Sequence, residues 1–271
     1  MNLSDKQKEF VKKNKRRKIV ILITQILITV VFLIIWELLS RFNIINSFIF
    51  SSPTEIGKTL ISLIKSNSLF NHIWVTFYET IIAFAITSIL SLLISIILYR
   101  SKFLSKVFDP YLTMLNSLPK VALGPIIIIW VGANTKSIIL MAIFVSIIVS
   151  IQSIYNGFIN TDKSKIKLLK TFNASEIDIL FKVVLPYNYK VIVNTLKINI
   201  SMCLIGVIMG EFLTSKAGIG YLILYGSQVF NLNLVMAGII LLIILSIILY
   251  QVIRKIEKRL DYWFLFLFII K

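Results

Sequence analysis

Few side chains in this 271-residue sequence are equipped for chemistry. There is one histidine, His72, and one cysteine, Cys203. A lone cysteine forms no disulfide within its own chain and no cysteine-based metal site. No nucleophile stands with a base in a recognisable arrangement, and no His, Asp, Glu and Cys cluster has metal-ligand spacing. "GKT" at 57–59 ends like a phosphate-binding loop. That motif needs a glycine five positions earlier, where Ser52 stands, and a strand before it. The sequence therefore offers no catalytic residue, no metal site and no nucleotide site of its own. What remains is a handful of ionisable residues inside or beside apolar runs: Glu37, His72, Glu79, Lys120, Lys197 and Glu211. Charge within an apolar span is costly and marks an interior or a solute path. His72, just outside its run, reads as an interfacial residue rather than a ligand.

The elements that position these residues are membrane spans. The chain is 58% hydrophobic, with a mean hydropathy of +0.90. Five windows, 19–39, 75–98, 137–155, 191–213 and 232–253, are each long enough to cross a hydrocarbon core of roughly 30 Å. A sixth, 107–131, is apolar but interrupted by Pro119 and Pro125. The net charge of +17 raises nucleic acid as a partner, and its distribution argues against that. With six crossings and an inner N-terminus, 22 of the 29 Lys and Arg fall on the inner side, five on the outer side and two within spans. That asymmetry is a topology signal, and it places both termini in the cytoplasm with the bilayer as the basic segments' partner. The run after "KKNKRRK" is too long for a secretory h-region and is read as an uncleaved first span.

Three segments stand out. In the loop 40–72, "SSPTEIGKTLISLIKSN" reads as an interfacial helix, with Ser52 as N-cap, Pro53 at the first helical position and Glu55 completing a capping box. In the sixth window, "LNSLPKVALGP" holds Asn116, Pro119, Lys120 and Pro125. Two prolines with Gly124 between them leave unpaired carbonyls at membrane depth, tolerated only inside protein or facing a water-filled cavity. The break is either a packing kink or the lining of a solute path. In 191–213, Gly206 and Gly210 have the small-xxx-small spacing of a close helix contact, and Glu211 follows them near the outer end.

The polar interruption "TDKSKIKLLKTFNASEIDILFKVVLPYNYK", 161–190, carries six lysines and three acids. Asp162 is placed to cap a first helix that stops at Asn173, second only to glycine for the left-handed position closing a helix. Ser175 caps a second helix with Asp178 three residues on, and Pro186 ends it. Ile177, Leu180, Phe181 and Val184 share one helical face. An ordinary connection needs only a few residues; a loop with its own capped helices is either a docking surface or a solvated hairpin.

"LLKTFNASEIDILFKVVLP" resembles the EAA loop of permease subunits in bacterial ABC importers, which reads E-A-A-x-x-x-G with a Leu-Pro pair ending thirteen residues after the glycine. Asn173 takes the glycine place, and Leu185 and Pro186 are the pair. The glutamate place is Lys167, and the alanine places are Leu168 and Leu169, so spacing is kept while named residues depart. "FSSPTEIGKTLISLI", "LNSLPKVALGPIIIIWVGANTKS" and "GEFLTSKAGIGYLI" resemble segments of the nitrate, sulfonate, taurine and thiamine-precursor branch. The similarity runs in order from about 45 to 260.

The resemblance implies an all-α polytopic membrane protein of the type I ABC importer permease kind, with six transmembrane helices and a cytoplasmic helix-turn-helix coupling loop. It implies a bacterial cytoplasmic-membrane protein organised as a basic segment 1–18, a first span 19–39, an outer loop 40–72, a permease core 73–255 including the loop 159–190, and a tail 256–271. It implies a second copy of the chain, two ATPase subunits carrying ATP and magnesium, and an external solute-binding protein, with no cofactor on this chain. The ATPase-coupling residues would be Lys167, Lys170, Thr171, Phe172, Asn173, Ala174, Ser175 and Pro186. The pathway residues would be Asn116, Pro119, Lys120, Pro125, Gly206, Gly210 and Glu211, passing a small anion of the sulfonate, taurine, nitrate or thiamine-precursor class. An ion-coupled secondary transporter is the alternative, since broken helices are typical there too.

Overall fold

The computed structural model describes the backbone of residues 5–269, and side chains between 10 and 259 except at 11 and 47. Every regular element among them is helical. In order they are α1 (Asp5–Arg41), α2 (Ser47–Phe50), α3 (Pro53–Lys65), α4 (Ser68–Arg100), α5 (Lys102–Ser117), a 3-10 turn (Lys120–Leu123), α6 (Gly124–Val131) and α7 (Thr135–Ile159). There follow α8 (Lys163–Thr171), α9 (Glu176–Ile179), a π turn (Leu180–Val184), α10 (Leu185–Tyr187), α11 (Tyr189–Thr214), α12 (Ile219–Gln228) and α13 (Leu232–Ile269). Five helices are long and apolar enough to cross a membrane, and the bent α5–α6 pair makes a sixth span if counted as one.

The centre is a sheaf of α4, α7 and α11. In lipid the apolar effect does not drive helices together, so close backbone approach and interhelical hydrogen bonds must. The sequence supplies both. Thr76, Thr80, Ala83, Thr87, Ser91 and Ser95 make one buried stripe along α4. Thr87 bonds Ser146 of α7 at 3.1 Å, Ser95 donates to the Ile151 carbonyl at 3.1 Å, and Asn199 of α11 donates to Ser88 at 2.8 Å. On α11, a Cβ at Gly206 would stand 2.5 Å from Ala142 Cα and one at Gly210 3.0 Å from Ile138 Cα, so glycine lets these backbones meet.

Around the sheaf, α12 and α13 add a layer built on Leu69, Ile219, Leu222, Leu234, Leu241, Leu245 and Leu249. Lys197 of α11 pairs with Glu257 of α13 at 2.7 Å. By contrast, none of the apolar window of α1 is buried. That helix is tied at its end by Glu37, which accepts from the Thr54 hydroxyl at 2.6 Å and the Thr54 N–H at 3.1 Å. Ser52 caps α3 as expected, its Oγ accepting from Glu55 N at 3.3 Å. The return half of the capping box is absent: Glu55 bonds Lys58 instead.

The broken span bends by 93°, and the two prolines do different things. Leu118 ends α5 in an extended conformation, as a residue before proline prefers. Pro125, in contrast, lies in the first turn of α6, where a missing N–H costs no helical bond. The expectation that Pro125 interrupts a helix and leaves a carbonyl unpaired is corrected: it stands in a helix's first turn.

Candidate functional site

At one end of the sheaf sits a knob, residues 161–188. Asp162 caps α8, its Oδ1 accepting from Ser164 N at 2.9 Å. The helix closes through Asn173, whose φ is 54°. With that left-handed residue in place, Asn173 N donates to the Lys170 carbonyl at 3.0 Å and Ala174 N to the Leu169 carbonyl at 3.1 Å, the paired bonds of a Schellman closure. Ser175 then caps the next helix. Its Oγ accepts from Asp178 N at 3.1 Å and donates to Asp178 Oδ2 at 2.6 Å. Lys170 reaches across the turn to Glu176 at 3.0 Å. The hydrogen bond from Lys182, then that from Ser175, hold the Asp178 carboxyl below its ordinary range.

The second helix departs from expectation in two ways. It does not stop at Pro186 but runs through it to Tyr187, ending at Asn188, whose Nδ2 bonds Thr161 at 2.7 Å and the Val184 carbonyl at 2.9 Å. The π turn at 180–184 also rotates the face. Ile177, Leu180, Phe181 and Val184 do not form one buried stripe. Ile179, Leu180 and Val184 turn inward onto Ile154 and Phe158 of α7 and Leu92 and Ile96 of α4. Ile177 and Phe181 face out, 51% and 61% exposed, alongside Leu168 at 60% and Phe172 at 75%. The knob is thus seated on two spanning helices while presenting four large apolar side chains. Lys167, Lys170, Thr171, Asn173 and Ser175 are exposed beside them, and Ala174 and Pro186 are half-buried.

At the broken span, Lys120 Nζ lies 3.4 Å from Asn116 Oδ1. Asn116, Pro119 and Pro125 are exposed and Lys120 is half-buried. Gly206 and Gly210 lie apart from this group, in the α7–α11 contact.

Glu211 lies at the opposite end of the sheaf from the knob, in a latch. Its Oε1 accepts from the Thr76 hydroxyl at 2.6 Å and its Oε2 from Gly220 N at 2.5 Å. Thr76 Oγ1 in turn accepts from Ile219 N at 2.8 Å. His72 is no mere interfacial residue: its Nδ1 accepts from Gly218 N at 3.0 Å and its ring stacks on Tyr221. Gly218, at φ 116°, brings its backbone against the carboxylate, and a Cβ there would lie 2.3 Å from Glu211 Cδ. Sequence reasoning did not find Thr76 or the role of His72; "GEFLTSKAGIG", an acid seven and nine residues before two glycines, was the available signal.

A sheaf of spanning helices, one of them broken, with a capped knob between spans, is the architecture of a polytopic membrane protein. The chain belongs to the family of binding-protein-dependent transport system inner membrane components, whose profile matches residues 91–262. Relatives agree. A probable ABC transporter permease protein of Haemophilus influenzae is 28% identical over 84% of this chain and 93% of its own length. The putative aliphatic sulfonates transport permease protein SsuC of Bacillus subtilis is 26% identical over 94% and 92%. The formylaminopyrimidine transport permease protein ThiX of Halalkalibacterium halodurans is 25% identical over 85% and 92%. The fold is that of the MetNI methionine ABC transporter in an inward-facing conformation, with a TM-score of 0.62 at 18% identity over 69% of this chain and 94% of that one. Membership sets aside the secondary-transporter alternative.

Proposed function

We propose that two copies of this chain form the transmembrane pathway of an ABC importer for a small anion of the sulfonate, taurine, nitrate or thiamine-precursor class. An external binding protein delivers the solute. The knob faces the cytoplasm and docks on ATPase subunits that hold ATP and magnesium. The observation that carries the docking is the four exposed apolar side chains, Leu168, Phe172, Ile177 and Phe181, on a knob whose underside is buried in the sheaf. Such a patch on a seated element marks a protein contact. Lys167, at the family's acidic place, and the bulkier Leu168 adapt that contact to its own ATPase.

Support for an anion comes from the broken span. Lys197 is engaged by Glu257, whereas Lys120, beside Asn116 at the Pro119 break, makes no ion pair among the described residues. In this reading Asn116, Pro119, Lys120 and Pro125 line the path, while Gly206, Gly210 and Glu211 hold the helices around it. The aliphatic sulfonates and formylaminopyrimidine permeases among its relatives support that class. The test is binding of taurine, ethanesulfonate, nitrate and formylaminopyrimidine to the purified cognate binding protein, followed by ATP-dependent uptake of the bound solute into proteoliposomes. Uptake of one of these, abolished when Phe172 and Phe181 are replaced by Asp, is expected. Binding of none of them would reject the solute class, and uptake surviving both substitutions would reject the docking.

A further inference from the structure

The knob hangs from the sheaf by two joints. The chain leaves α7 through Asn160, Thr161 and Asp162, and it enters α11 through Asn188, the one residue between α10 and α11. Thr161 and Asn188 are buried, 2% and 3% exposed, although they stand in turns, where polar residues usually face water. Asn188 Nδ2 donates to Thr161 Oγ1 at 2.7 Å and to the Val184 carbonyl at 2.9 Å. A carbonyl only accepts, so Val184 fixes which end of the amide points inward, and the second amide hydrogen is left for Thr161. The Val184 carbonyl also accepts from Asn188 N at 3.1 Å, and the Asn188 carbonyl accepts from Ile192 N at 3.0 Å. Thr161 N in turn donates to the Phe158 carbonyl at 3.3 Å, in the last turn of α7. One pair of side chains thus joins the end of α7, the last turn of the knob and the first turn of α11. Gly157 lets them close: a Cβ there would lie 2.9 Å from Val191 Cγ1 and 3.1 Å from Asn188 Oδ1.

We propose that Asn188 and Thr161 are positioning residues, a clasp that locks the two joints so that a push on the knob moves α7 and α11 together. The proposal rests on the docking of the knob on ATPase subunits argued above. The apolar seat of Ile179, Leu180 and Val184 holds the knob against the sheaf, but apolar contact has no direction and permits rotation. The clasp has direction, and opening it would leave a buried amide without a partner, which keeps it closed under load. With the clasp removed, the joints turn independently and the push is spent in swivelling the knob. A second bridge joins the same arms further out, where Lys165 Nζ stands 4.6 Å from the centre of the Tyr187 ring. Tyr187 is 47% exposed, and a cation on an aromatic face in water is a weak tie.

The experiment uses the whole transporter, with its ATPase subunits, in lipid nanodiscs. A spin label is attached to a cysteine introduced at Lys216, which is exposed at the far end of the sheaf; the native Cys203 is buried. Pulsed magnetic resonance measures the label-to-label distance between the two copies, before and after trapping with ATP, magnesium and vanadate. The parent is expected to shift to a second distance. In Asn188→Ala and in Thr161→Val the ratio of shifted to unshifted pairs is expected to fall about tenfold, the order set by losing one partner of a buried hydrogen bond. Co-purification of the ATPase subunits is expected to stay at the parent's level. Thr161→Ser, which keeps the hydroxyl, and Lys165→Ala are expected to respond as the parent does. A parental ratio in both Asn188→Ala and Thr161→Val overturns the clasp. Loss of ATPase co-purification in those two variants also overturns it, by showing that the bond builds the knob rather than transmits its motion. So does a fall in Thr161→Ser, or a fall in Lys165→Ala equal to that of Asn188→Ala. No shift in the parent, by contrast, defeats the docking reading itself and the clasp with it.

Discussion

The Ala174 N–H donates to the Leu169 carbonyl at 3.1 Å, and that bond exists because Asn173 between them is left-handed, at φ 54°. The direction of the whole second knob helix hangs on one residue that is not glycine. Glycine adopts this region freely, asparagine with modest strain, and a β-branched residue poorly.

Asn173→Gly is therefore expected to keep or improve ATPase co-purification. Asn173→Val pays about 1–2 kcal/mol for the same conformation, too little to unfold the sheaf but enough to disfavour the docked knob about tenfold. Co-purification and solute-stimulated ATP hydrolysis of the two variants check this, and equal values for both would show that the turn does not set the contact.

The prolines of the broken span are expected to separate. Pro125→Ala changes a first-turn residue and leaves uptake near its original rate. Pro119→Ala lets α5 continue, straightens the 93° bend and lowers uptake while the complex still purifies. Indistinguishable uptake by the two variants would reduce the bend to packing.

Gly206→Ala places a Cβ 2.5 Å from the Ala142 Cα, against backbone that cannot rotate away. Overpacking of this kind typically costs about 1–3 kcal/mol. The thermal midpoint of the detergent-solubilised protein should fall, whereas Gly57→Ala, with open space around it, should not lower it. A Gly206→Ala midpoint equal to that of the parent would mean that α7 and α11 are not so closely held.

Ser66 precedes α4 and Ser164 lies in α8 of the knob, and from the charge asymmetry we propose that they face opposite sides of the membrane. An impermeant thiol reagent should label Ser66→Cys in intact cells and Ser164→Cys only after the inner face is opened. Labelling of both from one side would overturn the orientation.

What the sequence discloses here is mostly local. Ser52, Asp162, Ser175 and Asn173 are readable because a cap or a left-handed turn is decided within four residues. The stripe of the second knob helix is not, because 3.6-residue periodicity assumes an unbroken α-helix, and the π turn at Leu180–Val184 moves Ile179 inward and Phe181 outward. Pro125 misleads for a similar reason: proline's effect depends on whether it stands inside a helix or at its start. The latch is beyond local reading altogether. Thr76 and Glu211 are 135 residues apart, and nothing in either neighbourhood names the other. The hydroxyl stripe of α4 is visible in the sequence as Thr and Ser in an apolar run, but its meaning depends on partners from α7 and α11.

The ion pair between Lys197 and Glu257 also has a history. The two residues are 60 positions apart, so on a ribosome adding about 5–20 residues per second, roughly 3–12 s pass between making one and making the other. For that interval α11 exists without α13, and Lys197 has no Glu257 to pair with. Until then its charge must stay hydrated, because an unpaired ammonium is costly at membrane depth. The pair thus ties the settling of α11 to the arrival of the last helix.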